Sequence, residues 1–175
     1  MLGCEQEEQV DPKNMQYYDL RGFIENQIVY LTEKRPQITK SAVLNNKQEV
    51  VKTQDIDWKK ELELFMQADI NKPSFRNSYQ ITAKTAGIYE YKLKADNDLP
   101  VRYLKILTDT SRNQPVFVKA IIRSKNRIYE SEREIELTCS IKDNLTHLTG
   151  YRIKGYQQLI LTDPKTFLIS TKIGL

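Results

Sequence analysis

From Ser78 to the C-terminus apolar and polar residues alternate with a period of two, the spacing at which successive side chains fall on opposite faces of a β-strand. The longest run sets Tyr129, Ser131, Arg133, Ile135, Leu137, Cys139 and Ile141 against Glu130, Glu132, Glu134, Glu136, Thr138 and Ser140. Similar runs cover residues 79–84, 89–95, 101–108, 116–124, 148–161 and 166–173. Asp96-Asn97-Asp98, Lys125-Asn126-Arg127 and Asp163-Pro164-Lys165 supply turn chemistry between them. Connections this short cannot carry parallel crossovers, so the pattern predicts an antiparallel meander of about six or seven strands.

The first half of the chain changes period. Tyr17, Leu20, Ile24, Ile28 and Leu31 recur three and four apart, and Asp11-Pro12 suits a helix start. The spacing predicts a helix over 13–34, stopped by Pro36. Residues 37–44 and 48–53 are β-rich runs joined by Asn45-Asn46-Lys47 and should pair as a hairpin. Asp55 then caps a second helix carrying Trp58, Leu62, Phe65 and Met66 on one face and ended by Asn71-Lys72-Pro73. That stripe reads as the side of a helix that closes its own core, which burial of Trp58 would test. The expected fold class is α+β: an antiparallel β-meander sheet of about 6 to 9 strands with two N-terminal amphipathic helices, in the order α-ββ-α-β(6-7). The helices cover one greasy face, or the sheet curls into a half-barrel around a cavity with a helix as lid. Residues 1–12 read as a disordered tether and 13–175 as a single domain, with no internal repeat or linker.

Composition narrows the function classes. The chain has 175 residues, 39% hydrophobic and 29% charged, with a mean hydropathy of −0.59. Such a chain is neither a multi-pass membrane protein nor disordered throughout. Two cysteines exclude a disulfide scaffold, and one histidine leaves little for a zinc site or a Ser-His-Asp triad. The net charge of +4 is unevenly spread. In the first twenty residues five acids face Lys13 alone, giving −4 there and +8 on the remainder. The basic residues of the body recur singly between apolar ones (Lys92, Lys94, Lys105, Lys119, Arg123), the pattern of a wet sheet face and not of a nucleic-acid surface.

No phosphate-cradling glycine loop, G-x-S-x-G elbow, H-E-x-x-H or C-x-x-C occurs. Gly150 and Gly155 stand inside a strand-like stretch, where a bulge or bend is expected. Cys139 shares its strand side with Ile135, Leu137 and Ile141 and reads as a small buried hydrophobe; pairing with His147 as nucleophile and base has no motif behind it. The Glu130 to Glu136 series reads as solvent face, with a cation-binding or partner-steering stripe as its alternative. Ten of sixteen aromatics are tyrosine, a residue that suits pocket linings, interfaces and strands alike. No residue is nominated as catalytic, cofactor-binding or metal-ligating.

The N-terminus carries the one address. Met1-Leu2-Gly3-Cys4 resembles the end of a bacterial lipoprotein signal, the lipobox, in which a small residue precedes the cleaved bond and the cysteine becomes the lipidated first residue. A complete signal has a charged start and an apolar run of about 7 to 15 residues, so the resemblance implies such a run ahead of Met1. It makes Cys4 the lipid-attachment residue, anchored by more than one acyl chain. Residues 5–13 contain Val10 as their only large apolar side chain and read as a solvated tether. Their acids Glu5, Glu7 and Glu8 look like the surface-export signal of lipoproteins of the Bacteroidota. The layout and the segment Ile56-Asp57-Trp58-Lys59-Lys60-Glu61-Leu62 are similar to small lipoproteins of unassigned function in that group.

The resemblance implies a bacterial envelope protein anchored in the outer membrane, facing the periplasm or the surface. Its expected partners are membrane lipid through Cys4 acylation and an unknown protein or small apolar ligand, with no nucleic acid. The expected role is a non-enzymatic binding or structural module. Two alternatives stand beside it: a carrier of a lipid or other apolar ligand in a half-barrel cavity, and an enzyme with an unrecognised acidic or tyrosine site.

Overall fold

Thirteen segments of regular structure run from α1 (Leu20–Lys34) to β9 (Lys165–Gly174) in a computed structural model that describes residues 15–174. Between them lie β1 (Gln37–Leu44), β2 (Lys47–Thr53), α2 (Trp58–Glu61), α3 (Glu63–Gln67) and a 3₁₀ turn (Pro73–Phe75). The meander follows as β3 (Tyr79–Thr85), β4 (Ile88–Leu93), β5 (Val101–Thr108), β6 (Pro115–Lys125), β7 (Tyr129–Lys142) and β8 (Leu145–Leu159). All nine strands join one antiparallel sheet in the order β2-β1-β9-β8-β7-β6-β5-β4-β3. The sheet is open: β2 and β3 are its two edges and do not pair with each other. The α+β class with a helix ahead of a large antiparallel sheet therefore holds.

The helices differ from expectation. The first begins at Leu20, not near residue 13, because Asp19 caps it, its carboxylate accepting from the Gly22 N–H at 2.8 Å. Tyr17 is buried but precedes the helix, and Gln27, not Ile28, joins Leu20, Ile24 and Leu31 on the buried face. The second helix is two short turns capped by Asp57, two residues past Asp55, and broken at Leu62 (φ −100°, ψ 5°). Trp58, Leu62 and Phe65 nonetheless share one side, and Trp58 is only 3% exposed, so the stripe is core.

Period two sorts each strand into a helix-facing and an open face. Val118 and Ala120 stand opposite Leu137 and Ile135, which stand opposite Tyr151 and Ile153. Over this layer Leu31, Leu62, Phe65 and Ile70 are fully buried, so side chains fill the space between helices and sheet. The Asn45-Asn46 and Asp143-Asn144 turns have φ of 48° and 64°, and of 51° and 63°, the left-handed pair that lets a two-residue hairpin match strand twist. The predicted irregularity near Gly150 is a bulge, where Thr138 pairs with Gly150 but Cys139 pairs with Leu148.

The antiparallel register gives the sheet two ends. One, beside the last turn of α1, holds Gln37, Gly174 and the Asp143-Asn144 turn. The far end holds the Asn45-Asn46 turn, residues 126–128, residues 160–164 and the connection 94–100.

Candidate functional site

At the helix-side end, α1, the β7–β8 hairpin and the close of β9 leave a surface pocket of about 430 Å³. Tyr30 and Lys34 come from the helix, Ser140, Lys142 and His147 from the hairpin, and Ile173 from β9. The Tyr30 and His147 rings stack with centroids 4.3 Å apart and planes 28° from parallel. Lys34 Nζ lies 5.9 Å from the Tyr30 ring centre, a cation over an aromatic face. Lys34 also sits in the last turn of α1, where a cation complements the helix dipole.

The wall is held by a buried amide one turn before Tyr30. Gln27 donates to the Thr146 carbonyl at 2.9 Å and accepts from the Leu148 N–H at 2.8 Å. It thereby completes the stretch of β8 that extends past its pairing with β9, which begins at Gly150. His147, between those two residues, is 7% exposed and offers the pocket an imidazole edge. Lys34, Lys142 and His147 face Asp143 alone among the lining acids, so the pocket suits a small ligand with anionic or hydroxyl groups better than an apolar one.

The other candidate residues are dispersed. Cys139 and His147 lie on paired strands but back to back: His147 stands opposite Ser140, so it shares Ser140's face while Cys139 points the other way into the core. Burial pushes the Cys139 thiol up to about 12, which keeps it neutral. The glutamates of β7 lie on the open face among cations. Lys119 meets Glu134 and Glu136 at 3.0 and 3.3 Å, Lys154 meets Glu134 at 2.8 Å, and Arg123 and Lys125 meet Glu130 at 2.7 and 2.8 Å. The hydrogen bonds from Lys125, Arg123 and Tyr156 bring the Glu130 carboxyl down to about 2. Glu130, Glu134 and Glu136 thus form a ladder of ion pairs. Cys4 lies outside the described residues.

Sequence reading missed Gln27, Tyr30 and Lys34, and it missed two polar knots under the helices. In one, Glu61 joins Lys40 at 2.6 Å and accepts from the Tyr151 hydroxyl, tying α2 to β1 and β8. In the other, Asp69 accepts from the Asn71 and Arg21 N–H groups at 3.0 and 3.3 Å, while Asn71 accepts from the Tyr17 N–H and donates to the Tyr18 carbonyl. Burial raises the Asp69 carboxyl despite those donors. One oxygen holds the Arg21 N–H at the start of α1 and the other the Asn71 N–H in the loop after α3, which is a positioning task.

Among the described residues no cluster of three or more His, Cys, Asp or Glu could hold a metal ion, and no helix is long and apolar enough to cross a membrane. Compared with known protein families, curated proteins and solved structures, the chain matches none.

Proposed function

We propose that the chain is a lipoprotein of the bacterial cell envelope, held to the membrane by acylated Cys4, and that its α+β domain binds a partner or ligand and does not transform it. The observation that carries this reading is the junction of Leu2-Gly3-Cys4 with an acidic stretch nearly free of large apolar side chains. Behind it stands a domain whose strongest acids are spent on ion pairs and whose one described thiol is buried and protonated. Binding is placed at the Tyr30–His147 pocket, the recess with converging polar groups. The half-barrel carrier is the less favoured reading, because the apolar volume it needs is where Leu62, Phe65 and Ile70 pack against Leu104 and Ile135.

Metabolic labelling with alkyne-tagged palmitate in the bacterium that makes the protein tests the anchor. Label should enter the wild type and be lost from Cys4→Ala. A free, unlabelled thiol at position 4 in the native protein overturns the reading.

A further inference from the structure

The far end of the sheet gathers several exposed aliphatic side chains. Ile128 is 62% exposed, Ile160 62% and Leu161 99%, with Leu159 and Leu44 also more than half exposed. Four of these five belong to two adjoining hairpin tips, since β7 and β8 pair from Tyr129 opposite Leu159 and Ile160 donates to the Ile128 carbonyl at 2.9 Å. Leu161 is held at φ 64°, a left-handed conformation that a bulky side chain adopts only when its surroundings impose it. Isolated exposed leucines are ordinary, but a contiguous aliphatic group at the tips of two hairpins is not.

The rim of this group is basic. Across the three neighbouring tips stand Lys47, Lys125, Arg127 and Lys165, four cations to the two acids Glu130, which pairs with Lys125, and Asp163, while the connection 94–100 beyond them carries Lys94 with Asp96 and Asp98. Between the two apolar hairpins Lys125, Arg127, Tyr129, Glu130 and Gln158 help line an open cleft of about 260 Å³.

The path of the chain points the same way. Gln16 and Asn77 bond through their side chains at 3.1 Å, and Asn77 lies two residues before β3 begins, so the chain enters the described domain at the far end of the sheet. From β3 to β8 is five strand positions, about 24 Å of flat sheet. The eleven Cα–Cα steps from Cys4 to Met15 reach at most about 36 to 40 Å. An anchor at Cys4 and the tips of β7 and β8 can therefore rest on one surface.

We propose that the far end of the sheet docks on an anionic lipid surface, with Ile128, Leu159, Ile160 and Leu161 entering the interfacial layer and Lys125, Arg127 and Lys165 meeting lipid phosphates. This is the physics of an interfacial contact: a small apolar wedge plus cations, each weak alone and adding together on an anionic surface. It takes its orientation from the lipoprotein reading, and the contact itself needs no acyl chain.

The test uses the full chain carrying Cys4→Ser, so that no anchor contributes, sedimented with vesicles of phosphatidylcholine and phosphatidylglycerol in equal parts. The protein should pellet with these vesicles, less with phosphatidylcholine alone and less in high salt. Ile160→Asp with Leu161→Asp should weaken partition about tenfold or more, and Arg127→Glu should weaken it on the anionic vesicles only. An unchanged thermal midpoint in both variants shows that the fold is intact, as their exposure requires. No pelleting of the Cys4→Ser protein overturns the proposal, as does pelleting indifferent to the aspartates. Concentration-dependent dimers that the aspartates abolish, without vesicle binding, overturn it in favour of self-contact. Palmitate labelling judges the anchor separately, so either idea can fail alone.

Discussion

Gln27 occupies a position that the helical pattern reserves for an apolar side chain, and its two short bonds to Thr146 and Leu148 explain why it is polar. Gln27→Leu would keep the volume and leave a buried N–H and a buried C=O unpaired. The expected loss is about 2–4 kcal/mol, seen as a lower urea midpoint with an unchanged slope. The pocket's stacked wall should loosen with it. Asp69 is the titrating counterpart. Its folded carboxyl is raised above the ordinary value of 3.8 by burial, so the native state holds a proton that the unfolded chain releases. Its contribution is therefore most favourable below 3.8 and declines as pH rises through the raised folded value. The free energy of unfolding of Asp69→Asn relative to wild type should accordingly improve as pH rises over that range, measured by urea titration at each pH.

At the scale of elements, strands and tight turns were legible because their causes are local. Period two located the β-runs, and Asn45-Asn46 supplied residues that tolerate left-handed φ. The helix boundaries were harder. Asp11-Pro12 lies outside the described residues, Asp19 with Gly22 three residues on caps the helix at Leu20, and nothing in the spacing of Trp58, Leu62 and Phe65 announces a break at Leu62. The pocket was illegible for a different reason: Tyr30 and His147 are far apart in sequence, and it is core packing and the edge repair by Gln27 that bring their elements together. Two sheet features make sharp predictions. A Cβ on Gly155 would stand 2.1 Å from the Glu132 carbonyl oxygen, so Gly155→Ala must part β7 from β8 and should cost about 1–3 kcal/mol, visible as a lower melting temperature. Glu130, held down to about 2 by its partners, adds stability that is complete above the unfolded value of 4.5 and lost as pH falls from there toward 2. Glu130→Gln should flatten that acid limb in a melting series.

For the molecule as a whole, nine strands share one hydrogen-bond network but not one level of protection. The helices and the core lie over β5 to β8, where Leu104, Ala120, Ile135 and Leu137 are fully buried. Along β2, in contrast, every residue but Thr53 is exposed, and alternate N–H groups on the outer side of an edge strand have no ladder partner. Such edges invite pairing with other chains, and this one carries Lys47 and Lys52, while β3 carries Lys84 and a register shift between Ile81 and Ala83. Opening free energy should therefore fall from the centre of the sheet outward. In hydrogen exchange at low protein concentration, amides of Val118, Ala120, Ile135 and Leu137 should be the slowest, and those of β2 and β3 should exchange orders of magnitude faster. The same experiment at high concentration, and again on vesicles, separates two ways of covering an apolar surface. Slowing confined to β2 would show its edge pairing with a second chain. Slowing confined to residues 126–128 and 159–165 on vesicles alone would show the far end meeting lipid while both edges stay open.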